Sequence, residues 1–246
     1  MKASAIEFRL RMVIMVAIVA LGFWSPWIAM WGLGVRTPLL EWLALELSRM
    51  GLMSFTVAAP AVIVLGSVFA AVGAFMRVWG AAYLGYGTVH HAEMQAGAVM
   101  ADGPFRFVRN PLYIGGWFMF VAMAFLMPPT GALFSMTLLT VFLWRLILGE
   151  EEHLFRHLGE PYKKYLCSVP RLFPRLRTNL PAAGQEPHWL VALFTEVNPI
   201  GVFITLAFLS WSYDHLLMLK GILISLGVSL VVRALMPRGH GKPDPV

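Results

Sequence analysis

The chain has 246 residues, of which 59% are hydrophobic and 13% are charged. Ordinary soluble domains contain about 25% charged residues, so this composition excludes a water-soluble fold and indicates an all-helical integral membrane protein. The net charge of +6 suits anionic lipid headgroups, and no nucleic-acid-binding signature accompanies it. A single cysteine, Cys167, excludes an internal disulfide.

Six apolar runs predict about six transmembrane helices. The first follows a short basic segment and lacks a small-residue cleavage site, so we expect a retained helix, bent near Pro26, and not a signal peptide. The third and fourth runs are each slightly shorter than the roughly 20 residues of a span, and Pro128-Pro129-Thr130 joins them, which indicates an antiparallel hairpin. The runs cover residues 12–34, 52–76, 111–127, 131–148, 189–211 and 216–236.

The segments between the runs are polar or amphipathic. Residues 36–49 space Leu and Trp between acids, which is typical of a helix along the membrane interface. Residues 77–110 are Gly-rich and contain Gly85-Tyr86-Gly87 and a pair of histidines. We expect residues 237–246 to be disordered.

The basic residues predict the orientation. With a cytoplasmic N-terminus, all but three of the 19 Lys and Arg residues lie in inner segments or at the adjacent helix ends; the exceptions are Arg36, Arg49 and Lys220. The positive-inside rule therefore places both termini and the polar segments around the hairpin in the cytoplasm. We expect the plasma (inner) membrane of a bacterium or archaeon.

Residues 149–174 form the most polar segment of this apolar chain and directly follow the hairpin. Because the hairpin returns the chain to the same membrane face, this segment should lie beside residues 103–115. Within the latter, Asn110 followed by Pro111 is typical of a helix start. Asn110 therefore serves either as a helix cap or as part of a site.

Two adjacent acids, Glu150 and Glu151, end the fourth apolar run, where the helix dipole disfavours negative charge. Such a pair requires a cation or hydrogen-bond donors nearby. Basic side chains of the protein can supply them, in a purely structural arrangement; the candidates are Arg145, Arg106 and Arg109. A cationic ligand is the functional alternative.

A metal site is a weaker interpretation of the same helix. Glu150 and His153 form an E-x-x-H pattern, and His157 lies one turn further on. Carboxylate-bridged metal sites need a second such set on another helix. The histidines of residues 77–110 do not have that spacing, so we expect no metal.

Two motifs occur in order around the hairpin. The first is G-P-F-R-F-V-R-N-P-L-Y-I-G at residues 103–115, and the second is E-E-x-x-L-x-x-x-L-G-x-x-Y-x-x-Y from Glu150, followed by V-x-R-x-x-P from Val169. Together they resemble the isoprenylcysteine carboxyl methyltransferase and phospholipid methyltransferase group of integral membrane enzymes. The resemblance implies S-adenosylmethionine as methyl donor, bound in a cytosolic pocket over the hairpin, and a lipophilic acceptor that enters from the bilayer.

The resemblance covers about residues 52–177, which we expect to form the catalytic core of a single membrane-embedded domain, 1–246. It assigns no role to the two C-terminal spans within residues 189–236. The oligomeric state is not predicted by any of these patterns.

Matching motif positions gives residues their expected roles. The implied cofactor-binding residues are Tyr86, Gly87, Arg109, Asn110, Pro111, Tyr113, Glu150 and Glu151. The implied acceptor-binding residues are Tyr162, Tyr165 and Arg171, and those implied in catalysis are Arg171, Glu151 and Asn110. The chemistry agrees, because the acids suit the ammonium or ribose hydroxyls of the cofactor, and Arg109 suits its carboxylate by bidentate pairing.

Asn110 departs from the group's pattern, since many members carry His at this position. Asn forms hydrogen bonds but cannot act as a base. A carboxylate acceptor is already ionised at pH 7, whereas a phospholipid amine must first lose a proton. The sequence therefore favours the carboxylate of an isoprenylcysteine-like thioether, held by Arg171 or Arg175. His153 and His157 keep a phospholipid amine open as the alternative.

Two other classes of protein fit the sequence less well than a methyltransferase does. A membrane reductase with a nicotinamide cofactor has a similar layout, but the sequence carries no motif for one. A non-enzymatic scaffold or transporter would tolerate loss of the two acids. Inverted repeats would support a transporter, and the sequence shows none.

Overall fold

The computed structural model describes residues 2–84 and 101–236, apart from positions 176, 179 and 183. Within that part of the chain the secondary structure is helical, without strands. The ten α-helices are α1 (Ala5–Arg9), α2 (Arg11–Trp24), α3 (Pro26–Trp31), α4 (Leu39–Arg49), α5 (Phe55–Leu84), α6 (Pro111–Ala124), α7 (Pro129–Ser168), α8 (Trp189–Thr195), α9 (Val197–Phe208) and α10 (His215–Leu235). The expected site residues Tyr86 and Gly87, and the tail 237–246, lie outside the described residues.

The helices form the predicted membrane bundle. In the part of the chain that the structure describes, four segments are long and apolar enough to cross a membrane: α2 with α3, α5, α7 and α10. The pair α8 and α9, bent by 70°, makes a fifth if it is counted as one span. The third predicted run, 111–127, forms α6, an apolar helix of 14 residues, which is shorter than a bilayer crossing needs.

The first span is broken where the sequence predicts a bend. Ser25 has a left-handed backbone conformation with φ of 42°, and Pro26 is the first residue of α3. The buried Ser25 hydroxyl donates a hydrogen bond of 2.6 Å to the carbonyl of Gly22. This bond satisfies one of the carbonyls that the proline leaves without a helical donor.

Helix α5 is longer than the predicted run and continues past Met76 to Leu84. The predicted apolar run ends at Met76, directly before the charge of Arg77. In the structure Glu196 neutralises this charge, with Nε 2.5 Å from Oε2 and Nη2 2.9 Å from Oε1. Arginine is itself a good helix former, so the helix continues beyond the apolar run.

Helices α6 and α7 form the predicted antiparallel hairpin. Trp117 donates from Nε1 to Oγ1 of Thr140 at 2.9 Å, and Asn110 donates from Nδ2 to Oε1 of Glu151 at 3.1 Å. Residue numbers thus rise along one helix as they fall along the other. The start of α6 and the polar part of α7 consequently meet at one end of the bundle.

Helix α5 packs closely against α6 because glycines line the crossing. A Cβ atom placed on Gly73 would lie 2.6 Å from Sδ of Met119, and one on Gly115 would lie 2.9 Å from the carbonyl oxygen of Gly73. Nearer the end of α5, Gly80 faces Leu112. This contact fixes the position of the first turns of α6.

Candidate active site

The site is built from two segments that the hairpin brings side by side. The amide of Arg109 donates to the carbonyl of Pro170 at 2.9 Å, and the amide of Arg175 donates to the carbonyl of Phe107 at 3.1 Å. These backbone hydrogen bonds join the segment before α6 to the segment after α7. The two sequence motifs therefore lie against each other.

Glu151 lies at the centre of the arrangement and is only 6% exposed. Arg171 donates to its carboxylate from Nε at 3.0 Å and from Nη2 at 2.8 Å. Arg109 lies on the other side, with Nη1 3.4 Å from the same carboxylate oxygen. Two guanidinium groups and the amide of Asn110 thus compensate the cost of burying this charge.

Asn110 occupies the N-cap position of α6 but makes no capping hydrogen bond with its side chain. Its amide nitrogen donates instead to Glu151 and, at 3.3 Å, to the carbonyl of Arg171. The side chain therefore does not cap α6 and contacts Glu151 and the segment after α7 instead.

Glu150 has different surroundings from its neighbour. It is half-buried and accepts a hydrogen bond of 2.7 Å from the hydroxyl of Tyr113. Across residues 2–84 and 101–236 no basic side chain forms an ion pair with it. Two arginines that the sequence offered are engaged elsewhere: Arg145 pairs with Glu7, and Arg106 donates to the carbonyl of Leu180.

Arg109 has a hydrogen-bond donor that no described residue accepts. Its side chain is 11% exposed, and its Nε is buried without a hydrogen-bond partner among the described residues. Buried polar groups in proteins are rarely left unsatisfied, so this donor suits an anionic ligand group. Among the described residues, Glu150 thus carries no ion pair, and Arg109, which contacts the adjacent Glu151, retains a donor without a partner.

The tyrosines follow a kink in α7. Gly159 has non-helical angles, with φ of 60° and ψ of −140°, which glycine adopts without strain. Beyond it, Tyr162 and Tyr165 are buried with their ring centroids 5.8 Å apart. Tyr165 donates from its hydroxyl to the carbonyl of Phe105 at 2.9 Å, so it also holds the segment before α6 in place.

The histidines of this helix lie on its outer side. His153 and His157 are exposed, with ring centroids 4.1 Å apart. Over the described part of the chain, no group of three or more His, Cys, Asp or Glu side chains is placed to hold a metal ion.

The N-terminal segment lies beside Glu150 and Glu151. The sequence analysis did not predict this contact. Lys2 pairs with Glu152 at 2.5 Å, and the amide of Ala3 donates to the carbonyl of Arg145 at 3.1 Å. Glu7 accepts two hydrogen bonds from Arg145, at 2.9 and 2.8 Å. The bond from Arg145 lowers the pKa of Glu7 to about 2. The sequence signal for this contact was Glu7, the single acid among the basic residues of segment 1–11.

Comparison with known protein families gives one match that includes this site. Residues 56–161 match the family model described as phospholipid methyltransferase. No curated protein and no solved structure gives a significant match. The matched range includes Arg109, Asn110, Tyr113 and both acids, and it ends before Arg171 and helices α8 to α10. Residues 56–161 are therefore similar to the phospholipid methyltransferase family, in line with the resemblance that the two sequence motifs indicate.

Proposed function

We propose that this protein transfers a methyl group from S-adenosylmethionine to a lipophilic acceptor at the end of the α6–α7 hairpin. The observation that carries the proposal is that Glu150 and Glu151 have different partners. Glu151 is neutralised by Arg171 and Arg109, whereas Glu150 accepts only the hydroxyl of Tyr113 among the described residues. The family generally uses S-adenosylmethionine, which carries an ammonium group that an unpaired acid can bind.

The residues present fit this cofactor. Glu150 would bind the ammonium, oriented by Tyr113, and the buried Nε of Arg109 would donate to the carboxylate. When bound, S-adenosylmethionine supplies an electrophilic methyl group. Asn110 and Arg171 hold the buried carboxylate of Glu151 and so keep this wall of the site in one arrangement.

Arg171 is the residue best placed for the acceptor. It is about one-third exposed (32%), and its guanidinium carbon lies 5.1 Å from the ring centroid of Trp144. Trp144 is itself 42% exposed on α7, so Arg171 connects the buried site with the lipid-facing surface. Direct displacement requires alignment and exclusion of water, which the buried rings of Tyr162 and Tyr165 would favour.

The favoured acceptor is the carboxylate of an isoprenylcysteine-like thioether. The amide of Asn110 already donates to Glu151, and His153 and His157 are exposed on the outer side of α7. None of these three side chains is therefore placed to act as a base. An ionised carboxylate acceptor needs no base, which favours it over an amine. A phospholipid amine is the second candidate, and the description of the matched family favours it. Glu150 would then have to remove the proton.

The acceptor is tested by supplying the purified protein with methyl-labelled S-adenosylmethionine. N-acetyl-S-farnesylcysteine and phosphatidylethanolamine are offered in separate reactions. We expect label in the thioether, and less of it with Arg171→Met than with the surface variant Glu46→Gln. Label in the amino lipid alone would contradict the carboxylate assignment, and label in neither would contradict both acceptors.

The orientation and extent of the unit are part of the proposal. The contacts of Lys2 and Glu7 with α7 support a location of the N-terminal segment on the same membrane face as the site. We propose that this face is cytoplasmic, in the plasma membrane of a bacterium or archaeon. Residues 1–246 would form one methyltransferase domain with its catalytic core at about 52–177.

A further inference from the structure

The C-terminal helices α8 to α10 lie beyond the residues that match the family, yet a buried ion pair joins them to α5. Glu196 lies at the 70° bend between α8 and α9 and is 5% exposed. Both of its carboxylate oxygens accept from Arg77, one from Nε and one from Nη2. This bidentate geometry fixes the plane of the guanidinium group.

Neighbouring contacts hold the bend itself in place. Arg233 of α10 donates to the carbonyl of Thr195 at 3.3 Å, and the amide of His188 donates to the carbonyl of Ala82 at 2.8 Å. The end of α5 and the start of α8 are therefore joined independently of the ion pair. The contact of α8 with α5 thus has a second attachment besides Glu196, whose buried charge is costly in a membrane helix bundle.

On its other side, Arg77 packs against the beginning of α6. A Cβ atom on Gly115 would lie 2.7 Å from Cγ of Arg77 and 3.0 Å from its backbone nitrogen. Gly115 follows Tyr113 by two residues and Asn110 by five. The aliphatic part of Arg77 thus occupies the space against which the first turns of α6 rest.

We propose that Glu196 is a positioning residue for methyl transfer. By holding Arg77 in one orientation against Gly115, it sets the position of α6 and therefore of Tyr113 and Asn110. The C-terminal helices thereby contribute to a site that they do not line. This inference rests on the proposed function, because it concerns the precision of the proposed cofactor site.

A double-mutant cycle in the full-length chain separates positioning from simple stabilisation. The variants are Arg77→Met, Glu196→Leu and the double variant, with Glu46→Gln of the exposed pair Glu46–Arg49 as the matched control. Each is measured for its melting temperature and for its affinity for S-adenosylhomocysteine. Single variants leave a charge unpaired and should melt lower, whereas replacing both partners with apolar residues should restore most of the melting temperature.

In the double variant, the affinity for S-adenosylhomocysteine should not recover together with the melting temperature. We expect each single variant to bind S-adenosylhomocysteine about tenfold more weakly, and the double variant to remain about tenfold weaker although its melting temperature recovers. Affinity that recovers together with the melting temperature, or that never changes, would overturn the positioning role. Failure of the wild-type protein to bind would instead overturn the proposed function, and this inference with it.

Discussion

Arg171 and Glu151 lie on opposite sides of the kink at Gly159, and the guanidinium of the first clamps the carboxylate of the second. Nη2 lies 2.8 Å and Nε 3.0 Å from the same oxygen. The two residues are 20 positions apart in the chain. The pair therefore ties the segment after α7 back onto the end of the hairpin, and its buried acid organises the site.

Replacing Glu151 with Gln should lower stability more than the same change at Glu150. Glu151→Gln leaves Arg171 and Arg109 facing a neutral amide in a buried position, which costs about 3 kcal/mol. Glu150→Gln keeps an oxygen that can accept from Tyr113. Thermal unfolding in detergent measures both variants, and equal melting temperatures would show that the two acids have equivalent surroundings.

Gly115 and Gly116 provide a matched test of the contact between α5 and α6. A Cβ on Gly115 would collide with Arg77 and with the backbone of Gly73, so Gly115→Ala should cost about 1–3 kcal/mol. A Cβ on Gly116 would come no closer than 3.7 Å to Arg77. Gly116→Ala should therefore be neutral or slightly stabilising, since Ala is the better helix former. A reversed order of melting temperatures would contradict this packing.

Glu7→Gln should loosen the N-terminal segment. The carboxylate has a pKa lowered from 4.5 to about 2 by the bond from Arg145. Its contribution is therefore complete above pH 4.5 and is lost as the pH falls through 2. Hydrogen exchange of residues 3–9, corrected for the intrinsic rate, should show constant protection from pH 5 to 8 in the wild type. The variant should lose protection over that whole range, and unchanged protection would show that the pair does not hold the segment.

The natural cysteine tests the orientation without any substitution. Cys167 is exposed near the end of α7, on the face that we propose to be cytoplasmic. A membrane-impermeant maleimide should label it only after the cells are permeabilised. A Cys167→Ser/Met50→Cys variant, with its thiol at an exposed position at the opposite end of the bundle, should be labelled in intact cells. The opposite pattern would invert the topology.

Local patterns were enough to predict the hairpin and the meeting of its ends. The Pro128-Pro129 turn, the two apolar runs beside it and the helix start at Asn110 are all encoded in neighbouring residues. The break at Pro26 follows from proline chemistry in the same way.

Other features depend on partners far away in the chain. The charge of Arg77 in α5 is neutralised by Glu196, 119 residues later. The difference between Glu150 and Glu151 likewise arises from which arginines reach them in three dimensions. A sequence pattern identifies both acids as unusual but cannot assign Arg145 to Glu7 or Arg171 to Glu151.

Calorimetric titration of the detergent-solubilised protein with S-adenosylmethionine tests the central claim most directly, with NADPH in a parallel titration. We expect saturable binding of S-adenosylmethionine, no binding of NADPH, and affinity reduced at least about tenfold in Glu150→Gln, because a charged pair is lost from the site. The control variant Glu46→Gln should bind as the wild type does. Binding of NADPH alone, or wild-type affinity for S-adenosylmethionine in Glu150→Gln, would contradict the account.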